Sequence, residues 1–576
     1  MATYRICLCQ IDATVGGIKN NADKIISYLR KSKNLNADIV CFPELSLSGY
    51  PPEDLLFKPH FLEEVKSALK AIQKESDSLT LVGLPFLEEK EVFNACAVIQ
   101  DKKIVDIYKK MLLPNYGVFD ERRHFFPGTD CTVYNINNDF KMAINICEDS
   151  WSKEGPQSRQ AISGGANLVI NISASPFHSG KINEREIYFS KRTKENKCYF
   201  LYCNLVGGQD ELVFDGGSFA LDEKGKITAR AEQFTEDILT IDVDSEKLKK
   251  ATSSKSKKIK SSASNRNIKH KTIRFNVKSK TDTGNYNIIK RKKQYLEEIY
   301  EALLLGFKDY VFKNNFKKVV IGLSGGIDSA LTACIAVSAL GKENVVCISM
   351  PSRYSSIGTK KDAEKIANNL GVKFLEVPIW GIYTEYIKEL EGKFKNMEKD
   401  VTEENLQARI RGNILMAFSN KYGWLVLTTG NKSEVSTGYC TLYGDMAGGF
   451  SLLKDVPKTL VYKLSGYVNK KAGKDLIPKS VIDRAPSAEL RENQKDQDSL
   501  PPYDVLDKIL DFYVEKDFSV DQIVEKGYSR NIVKNIILKV DKNEYKRRQA
   551  PPGIKITPKA LGKDRRMPIT NRFFKL

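Results

Sequence analysis

Apolar residues along this chain fall into two kinds of block. Short continuous runs read as buried strands, and apolar positions at three-and-four spacing read as helices. In the first 245 residues, strands are predicted over Arg5–Ile11, Asp38–Phe42, Leu79–Leu84, Lys141–Cys147, Asn167–Ile172 and Tyr199–Val206. Helices are predicted over Asn20–Lys33, Phe61–Glu75 and Glu184–Asn196. This alternation describes an α/β domain. A second series follows a helix at about Lys290–Phe312. Its strands are Val319–Leu323, Val345–Met350, Val372–Val377 and Trp424–Thr428. Between them lie a helix carrying Ala330, Leu331, Cys334 and Val337, one over Thr359–Asn369 stopped by Gly371, and one near Thr402–Asn420. Such a series suits a doubly wound parallel sheet with ligands at the carboxyl ends of its strands. No internal repeat is visible.

The junction of the first strand and helix in that series carries chemistry. The loop residues Gly322, Leu323, Ser324, Gly325, Gly326, Ile327, Asp328 and Ser329 turn the chain from strand into helix. Free N–H groups at a helix start, the positive end of its dipole and neighbouring hydroxyls together favour an anion. No Gly-Lys-Ser/Thr closes the loop, which sets it apart from the common NTPase cradle. Its pattern Ser-Gly-Gly-x-Asp-Ser resembles the pyrophosphate loop of ATP pyrophosphatases, which split ATP between the α and β phosphates.

Charge changes the picture less than its total suggests. The chain carries a formal +19, and 17 Lys and Arg with a single acid, Asp282, fall between Lys247 and Lys293. The remainder carries only +3. A nucleic-acid-binding fold spreads basic charge over its folded surface, so this stretch reads as a Lys-rich connector and no nucleic acid is expected. It divides the chain into 1–246, a connector 247–289, and 290–576. The N-terminus lacks the apolar core of a signal peptide, no run approaches a membrane span, and the 11 cysteines show no framework spacing. A cytoplasmic protein with reduced thiols and no membrane partner is expected. Four histidines, at 60, 124, 178 and 270, form no ligand cluster.

Three residues at the ends of front strands stand out: Glu44 in IVCFPELSLSGYP, Lys110 in YKKMLLPNYGVFDERR and Cys147 in MAINICEDSW. A thiolate can attack an amide, a carboxylate can take its proton, and a lysine can supply charge for an oxyanion. In order and flanking signature the set resembles the Glu-Lys-Cys triad of the nitrilase superfamily. Adjacent Lys109 competes for the lysine role, and the spacing to Leu113-Pro114 favours Lys110. Two other glutaminase chemistries lack their residues here. Position 2 is Ala, which excludes an N-terminal cysteine nucleophile, and no histidine stands two residues before an acid. The resemblance implies an αββα sandwich, with Tyr116, Ser175 and Lys181 holding a glutamine substrate.

In the back half, MPSRYSS, NLQARIRG, TTGNKSE, STGYCTLYGDMAGG, LLKDVPKT and the segment 487–504 together resemble the glutamine-dependent NAD+ synthetases, from Glu44 to KRRQAPPG at 546–553. Asn405, Arg409 and Asn413 share a helix face, with Arg411 elsewhere. The resemblance implies Thr429 as a further ATP contact. It also implies Asn405, Glu434, Tyr439, Cys440, Thr441, Leu442 and Lys546 as contacts to deamido-NAD+. Asp328 and Glu434 are the carboxylates for Mg2+, which takes few protein oxygens plus phosphate; Glu434 could serve the metal, the substrate or both. The implied activity amidates deamido-NAD+ to NAD+ in an ATP-dependent reaction, with ammonia passed from glutamine by a sheltered route in a homo-oligomer. Three rivals are weaker. An RNA-modifying ATP pyrophosphatase leaves the front domain unexplained, a scaffold with an inactive front domain does not need the intact triad, and amidation of another carboxylate does not need the long dinucleotide motifs.

Overall fold

In the computed structural model, residues 2–253, 268–280, 284 and 286–573 are described. The chain forms two compact units, Met1–Gln209 with Val213–Lys293 and Asp210–Leu212 with Gln294–Leu576.

The first unit is built on two sheets. Its strands are β1 (Thr3–Gln10), β2 (Ile39–Cys41), β3 (Leu79–Glu88), β4 (Glu91–Gln100), β5 (Lys103–Lys109), β6 (Cys131–Ile136), β7 (Phe140–Ile146), β8 (Leu168–Ser173), β9 (Tyr199–Asn204), β10 (Val206–Gln209), β11 (Leu212–Asp215), β12 (Phe219–Leu221), β13 (Ile227–Arg230), β14 (Asp237–Asp244) and β15 (Ile268–Ile273). One sheet runs β14-β1-β2-β3-β4-β5 and the other β13-β12-β9-β8-β7-β6-β15. Alternation along each strand decides which side chain enters the core. Tyr4, Ile6 and Leu8 of β1 pack with Met142, Ile144 and Ile146 of β7 and Leu168, Ile170 and Ile172 of β8 in one buried cluster, so the sheets meet face to face. The alternate residue Cys9 points the other way, its Sγ 3.7 Å from Ser32 Oγ on helix Ile18–Asn34. The far face of the second sheet packs Val169, Phe200 and Tyr202 against Phe189 of helix Lys181–Asn196. Helix, sheet, sheet, helix is the layering that the front-half resemblance implies.

Part of the Lys-rich stretch belongs to this unit. The strand β15 pairs in parallel with β6, Ile268 opposite Cys131 and Ile273 opposite Ile136. Its sequence IKHKTI leaves the central four residues exposed at the edge of the sheet, where lysine also blocks further pairing. Lys271 Nζ lies 2.6 Å from Asp106, and Lys280 Nζ 2.7 Å from Asp38. These lysines therefore meet acids of the folded unit, a pairing invisible in a local charge count. Connector residues 254–267, 281–283 and 285 lie outside the described residues.

The second unit carries β16 (Val319–Gly322), β17 (Val345–Ser349), β18 (Lys373–Glu376), β19 (Leu425–Thr428) and β20 (Phe450–Ser451). Their order is β18-β17-β16-β19-β20 and every pairing is parallel. The order reverses at β16, so the loops after β16 and β19 flank the switch point where doubly wound sheets bind ligands. No helix among the described residues is long and apolar enough to cross a membrane.

Candidate functional site

Glu44, Lys110 and Cys147 lie together in the first unit, each on a chain reversal that follows a strand. Glu44 follows β2, where Leu45 takes a φ of +47°. A side chain at Gly83 of β3 would put its Cβ 2.2 Å from the Pro43 carbonyl oxygen, so the strand passes this turn only as glycine. The Glu44 carboxylate is fully buried and accepts three hydrogen bonds. Its Oε1 accepts from Lys110 Nζ and Asn94 Nδ2, both at 2.7 Å, and its Oε2 accepts from the Ala174 N–H at 2.8 Å. Strand alternation separates the two lysines. Lys109, the last residue of β5, pairs with Glu88 at the surface, whereas Lys110 turns inward.

A second carboxylate, Glu121, shares the Lys110 ammonium at 2.8 Å and accepts from Tyr50 Oη at 3.0 Å. Burial by itself would lower the Lys110 pKa. Glu121 and Glu44 overcome that and hold it well above its ordinary value. Burial, with Glu44 nearby and against the pull of Lys110, pushes the Glu121 carboxyl up to about 7. Sequence reading missed Glu121, because DERR looks like an exposed charged loop. Only a partner eleven positions back gives it a role.

Cys147 directly follows β7 with a φ of +42°, a region that costs a non-glycine residue about 1–3 kcal/mol. Burial raises its thiol well above the ordinary value; Glu44 adds to this and Lys110 opposes it. A thiol shifted in this direction needs a neighbouring base to act as a nucleophile.

The three residues that the resemblance assigns to glutamine are dispersed around this centre. Tyr116 Oη donates to Glu148 Oε2 at 2.9 Å, on the wall of a cavity of roughly 870 Å³ that also includes Met111–Tyr116 and Arg122–Pro127. Ser175 is buried beside Ala174, its hydroxyl accepting from Arg185 Nε at 3.3 Å. Lys181 Nζ sits 3.0 Å from Glu184 and 4.9 Å from the centre of the Trp151 ring. Ser175 and Lys181 are not part of the wall that carries Tyr116.

In the second unit, Gly322–Ser329, Thr429, Glu434 and Tyr439 line one cavity of roughly 310 Å³. Gly325 has a φ of +84°, and a Cβ there would meet the Thr359 carbonyl oxygen at 2.1 Å. Ser324 and Ser329 lock the loop, Oγ to Oγ at 3.1 Å, and Ser329 Oγ donates to the Gly326 carbonyl at 3.0 Å. Helix Ile327–Leu340 starts without any side-chain cap, which leaves its first N–H groups for an anion. An alanine at position 325 would displace the loop, through both backbone strain and the Thr359 clash.

Asp328 and Glu434 meet around Lys458, whose Nζ lies 2.5 Å from Asp328 Oδ2 and 3.1 Å from Glu434 Oε1. Asn431 caps helix Lys432–Thr437 and donates from Nδ2 to Asp328 Oδ1 at 2.8 Å, so one residue sets both acids. Burial pushes the Glu434 carboxyl up to about 7; Lys458 works against this and Asp328 with it. The sequence reading contained Lys458 in LLKDVPKT without a role. Arg411, on another face of its helix from Asn405, Arg409 and Asn413, lines the cavity and donates from Nε to the Met350 carbonyl at 3.0 Å. Arg409 instead reaches the Leu442 carbonyl at 3.3 Å.

The remaining residues expected to contact the dinucleotide form a strip that joins the cavity at Tyr439. Asn405 Oδ1 accepts from Thr441 Oγ1 at 2.7 Å, and Lys546 Nζ donates to the Gly438 and Cys440 carbonyls, both at 2.8 Å. Asn405, Cys440, Thr441, Leu442 and Lys546 are not on the cavity wall itself. Among the described residues no three His, Cys, Asp or Glu side chains cluster as metal ligands.

Comparison with known proteins matches both units. The carbon-nitrogen hydrolase family model covers residues 5–252, and the NAD synthase model covers residues 299–550. The chain is 45% identical to the glutamine-dependent NAD(+) synthetase of Thermotoga maritima, over 100% of this chain and 99% of the relative. It is 46% identical to that of Aquifex aeolicus, over 99% and 100%. Among solved structures, it matches the glutamine-dependent NAD+ synthetase of Acinetobacter baumannii, solved with ADP, at 37% identity and a TM-score of 0.74, covering 99% of both chains. A glutamine-dependent NAD(+) synthetase from Cytophaga hutchinsonii shares the fold, with a TM-score of 0.80 at 22% identity.

Proposed function

The chain belongs to the glutamine-dependent NAD(+) synthetase family, and on that premise we propose that it amidates deamido-NAD+ to NAD+ with nitrogen from L-glutamine and ATP as co-substrate. One observation carries the division of labour: a buried Glu-Lys-Cys cluster and a glycine-loop cavity stand in separate compact units. The proposed catalytic halves are 1–246 and 290–576, on either side of the Lys-rich connector 247–289.

In the first unit Cys147 Sγ attacks the glutamine side-chain amide. Glu44 takes the thiol proton and passes it to the leaving nitrogen, while the Lys110 ammonium faces the charge that develops on the amide oxygen. Ammonia leaves, and water, deprotonated by Glu44, releases glutamate from the thioester. Because Glu44 Oε1 already accepts from Lys110 and Asn94, it stays aimed through both half-reactions. Tyr116, Ser175 and Lys181 would hold the amino acid.

In the second unit a nicotinate carboxylate oxygen attacks the α-phosphorus of ATP, and pyrophosphate departs into the Gly322–Ser329 cradle. Ammonia then attacks the acyl carbon, and AMP leaves. Activation is needed because a free carboxylate does not accept an amine. Thr429 would contact ATP, and the strip Asn405, Tyr439–Leu442 and Lys546 would contact the dinucleotide. Asp328 and Glu434 fit Mg2+ in kind, since that ion takes one or two carboxylates and completes its shell with phosphate and water. Bound there, Mg2+ would neutralise charge on the departing pyrophosphate. Free thiols at all 11 cysteines suit a cytoplasmic location, and a homo-oligomer is the assembly in keeping with the family.

The test is NAD+ formation from deamido-NAD+, ATP and glutamine by the full chain, with and without chelator. Chelation will stop NAD+ formation from glutamine and from ammonium alike, and added Mg2+ will restore it. A rate undiminished in metal-free buffer removes the metal assignment, and the absence of NAD+ under every condition removes the substrate.

A further inference from the structure

The buried carboxylate of Asp149 has no part in the chemistry above, yet it touches both arms of the first site. Its Oδ1 accepts from the Met111 N–H at 3.0 Å and the Leu112 N–H at 2.8 Å. Its Oδ2 accepts from Tyr108 Oη at 2.8 Å and the Ile146 N–H at 3.2 Å. Met111 and Leu112 directly follow Lys110, and Ile146 directly precedes Cys147. One side chain thus grips the chain just after the lysine and just before the nucleophile.

Two further features call for such a grip. Cys147 holds a positive φ, a conformation that persists only where its surroundings over-determine it. From the opposite side Asn171 Nδ2 donates to the Cys147 carbonyl at 3.2 Å and to Ser150 Oγ at 2.9 Å, so the turn is clamped on two faces. Lys110 arrives on a different strand from Cys147, and their separation is not set by local chain geometry. A displacement of about 1 Å between reacting groups costs about a hundredfold in rate.

We propose that Asp149 is a positioning residue for amide hydrolysis, a four-donor staple that fixes the Cys147 turn against the Lys110 segment. The proposal rests on the assignment of Cys147 and Lys110 as nucleophile and oxyanion cation. Only a carboxylate suits the place, since four donors converge on it. Asparagine would turn an NH2 group toward one pair of donors and leave the Ile146 N–H or the Met111 and Leu112 N–H groups unpaired.

The experiment measures glutamate release from glutamine by the full chain, in the presence of ATP and deamido-NAD+, together with the iodoacetamide labelling rate of Cys147 and thermal unfolding. For Asp149→Asn, kcat will fall about 10- to 100-fold, the KM for glutamine will stay within about threefold, and Cys147 labelling will change at temperatures well below unfolding. A merely structural role predicts a lower melting temperature with wild-type kcat and labelling in the folded protein, and that result overturns the proposal. Should Asp149→Asn not fold, Tyr108→Phe removes one donor without touching charge. A kcat at least threefold lower at unchanged KM supports the staple, and a wild-type kcat overturns it. Glutamine hydrolysis persisting in Cys147→Ala would instead overturn the nucleophile assignment on which the proposal stands.

Discussion

Replacing Cys147 by alanine will abolish glutamine-supported NAD+ formation, by about four orders of magnitude or more, while ammonium-supported formation continues. The loss is this large because the proposed role makes the thiol a covalent participant, and alanine has no nucleophilic atom to replace it. In the proposed mechanism Glu44 is the base, and Lys110, 2.7 Å from Glu44 and 2.8 Å from Glu121, is the oxyanion cation. On the proposed division of labour ammonium bypasses this unit, since the second unit needs only an amine at the acyl carbon. Both rates are read by following NAD+ with glutamine or ammonium as the nitrogen source. Equal loss from both sources would show that Cys147 supports the fold rather than the amidase step, and no loss from either would remove it as nucleophile.

Lys458→Met will have the opposite signature, lowering NAD+ formation from glutamine and from ammonium together, by about 100- to 1000-fold. The Lys458 ammonium is nearly inaccessible and stands between two carboxylates, at 2.5 Å from Asp328 and 3.1 Å from Glu434. Removing one partner of a buried ionic group leaves the other charges uncompensated, at a cost of about 3–5 kcal/mol. The variant offers that strain two exits, protonation of a carboxylate or splaying of the pair, and either disorganises the wall facing the phosphate cradle. Steady-state rates with both nitrogen sources, with thermal unfolding as control, decide the matter. A folded variant retaining more than a tenth of its activity would make Lys458 a structural ion-pair partner only.

Chain segments whose meaning is local were legible. The glycine loop reads correctly as strand, turn and helix because the φ of +84° at Gly325 and the uncapped start of helix Ile327–Leu340 are written in adjacent residues. The main α/β strands of both series fall within a few residues of expectation, since continuous apolar runs mark strands buried on both faces. The strands β4, β5 and β6, by contrast, were not foreseen. β4 pairs antiparallel with β3 and β5 antiparallel with β4, and β5 is largely exposed with a charged, weakly apolar sequence. The strand β15 was hidden for the same reason. IKHKTI carries two lysines and a histidine, and only its pairing with β6 makes it a strand.

For the sites, the sequence by itself determined the chemical types: a cysteine, a carboxylate and a lysine after front strands, and a glycine-rich strand-to-helix loop in the back half. These residues lie in contiguous motifs with their own backbone signatures. Tertiary structure alone decided which charged residues join them. Glu121 reaches Lys110 and Lys458 reaches Asp328, 130 positions away. Arg411, and not Arg409 on another face of the same helix, lines the cavity. Asp149 meets four donors drawn from β5, the segment that follows it, and β7. A charged side chain in a polar stretch looks the same in sequence whether it faces water or a buried partner. The difference is made by desolvation and pairing across the fold, which no local pattern records.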